Sequence, residues 1–263
     1  MVLRLKLGSS TARLWTMEWD FTKALSLASE YFKVVELWVE PPYYPNWRTS
    51  REKADLDKLL DILVVTELET TIHAPYHDLS LCSWNPIVNS ASLKEVEKTL
   101  EMAEEIGSKT VTFHAGRMRL DDKGCLDVLK TNLEALNDHA KGYSSKLCLE
   151  NPQEGYLSDI GNLLKLTKGF KNIYITLDLA HLSLRESDLG GYKTELKRKL
   201  KNVHLSALAK DGKHRPLLKE TPVLKKHFKV LKGIGYKGAV ILEGKIEDKV
   251  QIAREITAVR KLI

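Results

Sequence analysis

Two kinds of apolar pattern alternate along this 263-residue chain. Short runs rich in aliphatic and β-branched residues read as buried strands near Leu3–Gly8, Val34–Glu40, Glu69–Ala74, Thr110–Ala115, Leu147–Asn151, Ile173–Asp178, Asn202–Ser206 and Ala239–Gly244. Between them lie helical runs, such as "SLKEVEKTLEMAEEIG" before the fourth strand and "PVLKKHFKVLKGIG" before the eighth. Both end in glycine, the residue that most readily takes the left-handed conformation that stops a helix. A last helical run, "IEDKVQIAREITAVRKLI", follows the eighth strand. Eight strand–helix units without a Pro-, Ser- or Gly-rich linker predict a single α/β domain over residues 1–263, a closed (β/α)8 barrel. An open doubly wound sheet would usually carry a Gly-rich first turn, and "KLGSSTARLW" holds no GxGxxG.

Side chains alternate across a strand, so parity separates the helix-facing from the barrel-facing positions. In "TVTFHAG", Val111 and Phe113 share one face, and Thr110, Thr112 and His114 the other. "KLCLEN" sets Leu147 and Leu149 against Cys148 and Glu150, and "NIYITLD" sets Ile173, Ile175 and Leu177 against Thr176 and Asp178. "TTIHAP", "NVHLS" and "AVILEG" likewise oppose His73, His204 and Glu243 to aliphatic residues. Six strands thus end with a titratable residue turned inward, at the C-terminal strand ends where barrel active sites open. One buried His or Asp is normally a hydrogen-bonded core residue, but six together leave much buried charge uncompensated.

A divalent metal supplies that compensation. Glu150, Asp178, His204 and Glu243 offer three carboxylates and an imidazole, a set suited to manganese, magnesium, cobalt, iron or zinc. His73 and His114, on adjacent strands, can form a second nitrogen pair that shares Glu150. In "ITLDLAHLSL", Asp178 and His181 point to opposite faces of a continuous strand, so they converge only if the strand stops near Asp178 and the chain turns. "KDGKHRPL" places Asp211 and His214 on a loop at the same mouth. His77, His139 and His227 lack such a position, and the last two, in helical runs, are read as solvated.

Composition narrows the picture only a little. Hydrophobic content of 43% and charged content of 29% are ordinary for a globular protein. Three cysteines without paired spacing suggest no disulfide framework and a reducing, cytoplasmic setting. The start is too short and charged for a signal peptide, and no apolar run suits a membrane span. A net charge of +6 is compatible with anionic partners, though lysine on outward helix faces produces the same figure. Basic residues (Arg13, Arg48, Arg117, Arg119, Arg185, Lys210, Lys213, Arg215, Lys245) and aromatics (Trp15, Trp19, Tyr43, Tyr44, Trp47, Tyr76, Trp84, Tyr156) fall just after strands. That mixture suits a small anionic or carbohydrate substrate, and it suits DNA as well.

The segments "IHAPYHDLSL", "VTFHAG", "LCLENP", "LDLAH", "VHLSALAKDGKHRPL" and "VILEG", in that order, resemble the xylose isomerase-like TIM-barrel superfamily. It includes sugar and sugar-phosphate isomerases and epimerases, and the endonuclease IV-type apurinic endonucleases (AP endonuclease family 2). The resemblance implies a metal site of Glu150, Asp178, His204 and Glu243, with His181 and Arg215 touching substrate and His73 and His114 lining the pocket. In the nuclease branch His73, His114, His181, Asp211 and His214 would join them in a trinuclear zinc site. Here Asp211 and His214 are separated by two residues where that branch has one, and "RPLLKET" lacks the Gly-Glu-Gly common among the isomerases. The leading expectation is a one-metal isomerase or epimerase working through a metal-stabilised enediolate, with Glu150 and Glu243 as paired acid and base. The alternative is a phosphodiesterase acting on abasic DNA with up to three metals.

Overall fold

The computed structural model describes residues 5–15, 17, 20–40, 52–117, 123–184 and 187–263, with the backbone alone for 52–55. The strands are β1 (Lys6–Ser10), β2 (Val34–Trp38), β3 (Glu69–His73), β4 (Thr110–Phe113), β5 (Lys146–Glu150), β6 (Ile173–Asp178), β7 (Leu200–Leu205), β8 (Ala207–Leu208), β9 (His214–Arg215) and β10 (Ala239–Leu242). Eight of them close a parallel barrel in the order β1-β10-β7-β6-β5-β4-β3-β2, and β8 pairs with β9 as a separate antiparallel hairpin. The protein is a (β/α)8 TIM barrel.

Parity sorts the residues as the alternation predicts. Leu37, Ile72, Val111, Phe113, Leu147, Leu149, Ile175, Leu177, Val203, Leu205, Val240 and Leu242 join the main core with the apolar residues of the surrounding helices. Inside, Val34, Ala239 and Ile241 form a small apolar cluster of their own. Gly8 makes room for it: a Cβ there would lie 2.6 Å from Ile241 Cδ1 and 2.8 Å from the Val34 carbonyl oxygen. A polar layer joins it, in which Thr112 meets Thr176 at 2.8 Å and Asn202 donates to Glu36 at 2.8 Å.

The two glycine stops behave as the sequence suggests. Gly107 and Gly235 have φ of 68° and 69°, and each follows a helix (Pro86–Glu105 and Pro222–Gly233) whose last carbonyls accept from the turning backbone. The first strand differs from its predicted span, running to Ser10 rather than stopping at Gly8. Register explains this: Ser9 pairs with Leu242 and Ser10 with Glu36, so buried serines of low strand propensity are carried by both neighbours. Among the described residues no helix is long and apolar enough to cross a membrane.

Candidate active site

The corner at the end of β6 builds one side of the site. Asp178 closes the strand, and its Oδ1 caps the helix Leu179–Ser183, accepting from the N–H of Ala180 at 2.7 Å and of His181 at 2.9 Å. The turn carries His181 back over the barrel mouth, with Nε2 3.5 Å from the other carboxylate oxygen, Oδ2. Asn151, just past β5, fixes this corner. Its side chain accepts from the Asp178 N–H at 2.8 Å and donates to the Asp178 carbonyl at 3.1 Å. Its own carbonyl accepts from His181 Nδ1 at 3.0 Å, which leaves Nε2 as the nitrogen facing the cavity.

Donor atoms of Glu150, Asp178, His204 and Glu243 all lie within 4.8 Å of one another. His204 Nδ1 stands 3.3 Å from Glu150 Oε2 and 3.1 Å from Glu243 Oε1. Its far nitrogen, Nε2, faces Glu36 Oε1 at 3.0 Å, and Glu36 also accepts from Thr71 at 3.1 Å. Two histidine pairs flank this centre. His73 and His114 group with Glu150, and His181 and His214 group with Asp178. His73 donates Nδ1–H to the Ala74 carbonyl at 2.9 Å, so Nε2 is turned toward Glu150 Oε2 (3.6 Å) and His114 Nε2 (3.2 Å). The β8–β9 hairpin delivers His214, whose Nδ1 meets the Ser206 hydroxyl at 2.8 Å and whose Nε2 lies 3.2 Å from His181 Nε2.

Electrostatics points to a cation. Glu150 Oε2, Asp178 Oδ2 and His204 Nδ1 are buried, and each lacks a hydrogen-bond partner among the described residues. Leaving such atoms unanswered is expensive, and all three belong to residues of the four-residue donor group. Burial pushes the Glu243 carboxyl well above its usual range, and Glu150, Asp178 and Glu36 push it further, with His204 opposing. His204 is raised well above an ordinary histidine; burial opposes this, but Glu243, Glu36 and Glu150 outweigh it. His114 is pushed down to about 4, chiefly by burial. A divalent ion among three carboxylates and one imidazole would compensate the buried negative charge, and the donor set fits one.

Several expectations need correction. His77 does take part in the mouth: its Nδ1 and backbone N–H face Glu40, a 7% exposed carboxylate that also accepts from Tyr76 N–H at 2.7 Å. His227 is buried rather than solvated, donating Nε2–H to the Ser187 carbonyl at 3.0 Å. His139 is partly exposed and lies 3.5 Å from Glu101. Arg13 is buried and pairs with Glu255 of the last helix, so it is part of the packing between the first turn and that helix. Asp211 stays outside the donor groups. Gly212, at φ 76°, turns the loop so that Asp211 accepts from the Lys213 N–H at 3.2 Å on the exposed side. Arg48, Arg119, Arg185, Trp19, Tyr43, Tyr44 and Trp47 lie outside the described residues. Glu36, Glu40, Asn151 and Ser206 were not singled out from the sequence. Glu36 alone carried a parity signal, as the one carboxylate inside "VVELW", opposite Val35 and Leu37.

A cavity of about 520 Å³ opens beside the donors, lined by His73, His114, Glu150, His181, His214 and Glu243 together with Trp38, Tyr76, Arg215 and Lys245. A second lobe of about 670 Å³ shares Tyr76, His114 and Glu150 and extends past β4 and β5 along Arg117, Glu154 and Tyr156.

Residues 25–262 match the family described as xylose isomerase-like TIM barrel. MJ1311, an uncharacterised protein of Methanocaldococcus jannaschii, is 25% identical over 270 residues, spanning 95% of this chain and 87% of the relative. The fold is also similar to the crystal structure of a D-tagatose 3-epimerase-like protein, with a TM-score of 0.82 at 21% identity over 98% of this chain and 97% of that one. The 3-keto-D-glucoside 4-epimerase of E. coli gives a TM-score of 0.77 at 18% identity, over 98% and 99% of the two chains. By the family match over nearly its whole length, the chain belongs to the xylose isomerase-like TIM barrel family.

Proposed function

We propose that this protein is a divalent-metal-dependent isomerase or epimerase acting on a sugar or sugar phosphate. The observation that carries the reading is the pair Glu150 and Glu243, both close to His204 Nδ1 at 3.3 and 3.1 Å and open to one cavity. Shifting a carbonyl along a sugar, or inverting a carbon beside one, needs a base that takes a proton from carbon and an acid that returns one. Two carboxylates facing one cavity can serve both roles, through an enediolate. Glu150, Asp178, His204 and Glu243 would hold the metal, which when bound supplies positive charge beside the substrate oxygens. The chain does the rest. Glu150 and Glu243 take and return the proton, Trp38 and Tyr76 offer ring faces, and His73, His114, His181 and Arg215 line the wall within the same cavity. Similarly folded proteins named as D-psicose 3-epimerase and 3-keto-D-glucoside 4-epimerase agree with this reading.

The test is solvent-deuterium incorporation beside the carbonyl of a panel of ketoses, with protein loaded with manganese or cobalt. Incorporation that disappears in Glu243→Gln is expected. Full metal occupancy with no incorporation into any member of the panel would sink the proposal.

The two flanking histidine pairs favour a second reading, a multinuclear phosphodiesterase acting on abasic DNA, because zinc sites without thiolate rely on imidazole. The exposed position of Asp211 argues against it. Two or three zinc ions per chain, with incision of an abasic duplex that is lost in a His73→Ala/His114→Ala double variant, would reverse the ranking.

A further inference from the structure

The two lobes of the cavity carry charge differently. In the lobe beyond β4 and β5 the one cation among the described residues, Arg117, lies 3.8 Å from Glu154. The lobe toward β7 and β10 presents three cations, Lys213, Arg215 and Lys245. Asp211 answers Lys213 at 3.2 Å, but neither Arg215 nor Lys245 has an ion-pair partner among the described residues. The backbone holds these two unpaired cations on adjoining segments. Gly244 lies so close to the hairpin that a Cβ there would sit 2.2 Å from the Arg215 carbonyl and 2.5 Å from Pro216 N. Any side chain at that position would push the Glu243–Lys245 segment off the hairpin. The same contact therefore fixes Glu243, of the reacting pair, next to the cationic wall.

Like charges fixed near one another repel, and a bound anion relieves the repulsion. Glu150 and Glu243, the carboxylates that line this lobe, belong to the metal-binding donor set, whose negative charge a divalent ion largely cancels. The cations are left for a ligand. A planar carboxylate carries one charge, whereas a phosphate monoester carries close to two and offers three strong acceptor oxygens, which suits a fork-shaped guanidinium beside two ammonium groups. A volume of about 520 Å³ is ample for a small sugar phosphate.

We propose that Lys213, Arg215 and Lys245 form a subsite for a terminal phosphate monoester of the substrate. This rests on the isomerase reading, selects the phosphorylated sugars within it, and sets the reacting carbon toward Glu150 and Glu243.

Lys213 and Lys245 are exposed, so a Lys213→Gln/Lys245→Gln variant tests the subsite without disturbing the core. Inorganic phosphate is titrated into the metal-loaded protein at low ionic strength, where exposed charges are least screened. It is expected to bind the wild type, and at least about tenfold more weakly to the variant. In solvent-deuterium exchange, kcat/KM for a phosphorylated ketose should exceed that for the unphosphorylated sugar by about a hundredfold or more. The variant should lose most of this preference, chiefly through a higher KM for the phosphorylated ketose, with metal content unchanged. Equal kcat/KM for the two sugars, a preference for the matching sugar acid, or phosphate affinity indifferent to both lysines would each overturn the proposal. If phosphate binding depends on the lysines but no sugar exchanges with solvent, the phosphate subsite stands and the isomerase reading falls.

Discussion

Two parts of the barrel interior are buried to the same degree and made of opposite materials. One holds Val34, Ala239 and Ile241, at 2%, 8% and 0% exposure. The other holds Glu36, His73, Glu150, Asp178 and His204, none above 3%. Burial stabilises the first set by removing apolar surface from water, at about 25 cal/mol per Å². The second set is destabilised by the same burial unless every charge is answered. A chain that needed only a folded barrel would extend the first set upward. That it changes to carboxylates and imidazoles within two residues, from Ile241 to Glu243, marks the level where structure gives way to chemistry.

The strongest way to test that division is to touch one residue on each side of it. Glu243→Gln keeps the shape and removes a charge and a candidate base, so solvent exchange should fall by about 10²- to 10⁴-fold and metal binding should weaken. Full turnover and full metal occupancy in that variant would contradict the assignment. Ile241→Ala should do the reverse. It opens a hole beside Gly8 and Val34 and should cost about 2–5 kcal/mol in denaturant unfolding, with metal stoichiometry unchanged. Should the alanine variant lose its metal while keeping its stability, the division would be wrong.

Glu36 sharpens the comparison, because it reaches from the lower layer into the upper one. It fixes which nitrogen of His204 faces the donors and adds basicity to that ligand. Glu36→Gln should therefore weaken metal affinity by about 10- to 100-fold, read by competition with a chelator, while Glu36→Asp retains part of the effect. Affinity equal to wild type in the glutamine variant would reduce Glu36 to a buried spacer. A smaller change is expected from His73→Ala/His114→Ala: one tightly held ion remains by elemental analysis, and at most a weak second ion is lost.

The legible part of the site was the part controlled by local geometry. Period-two alternation places His73, His114, Glu150, Asp178, His204 and Glu243 on one face of their strands, and barrel closure brings those faces together. Glu36 obeys the same alternation, but it sits in mid-strand, away from the strand ends where barrel sites open. Loop residues followed no such rule. Arg13 follows β1 as a mouth cation would, yet it pairs with Glu255, 242 residues away, a contact only tertiary packing decides. His77 depends on Glu40, two residues past the end of β2, and Asp211 on the turn at Gly212. None of these three leaves a trace in spacing or periodicity.

The smallest expected effect belongs to a histidine outside the barrel interior, and it serves as a control on the larger ones. His227 on the helix Pro222–Gly233 is buried with its Nε2–H given to the Ser187 carbonyl at 3.0 Å. Burial holds its pKa below the ordinary histidine value, against the opposing pulls of the Ser187 carbonyl and the Asp188 carboxylate. Because the folded pKa is depressed, the unfolded chain takes up this proton first as the pH falls. The contribution is therefore complete above about pH 6.5 and declines as pH drops toward the folded value, at no more than about 1.4 kcal/mol per pH unit. His227→Gln keeps an N–H for Ser187 and removes the titration. Denaturant unfolding at about pH 7 and about pH 5 should show wild type losing more stability than the variant, since this span brackets an ordinary histidine. The histidines around the donors contribute alike to both proteins, so the difference isolates His227. Equal losses would mean that acid sensitivity arises at the barrel mouth instead, in the uncompensated upper interior.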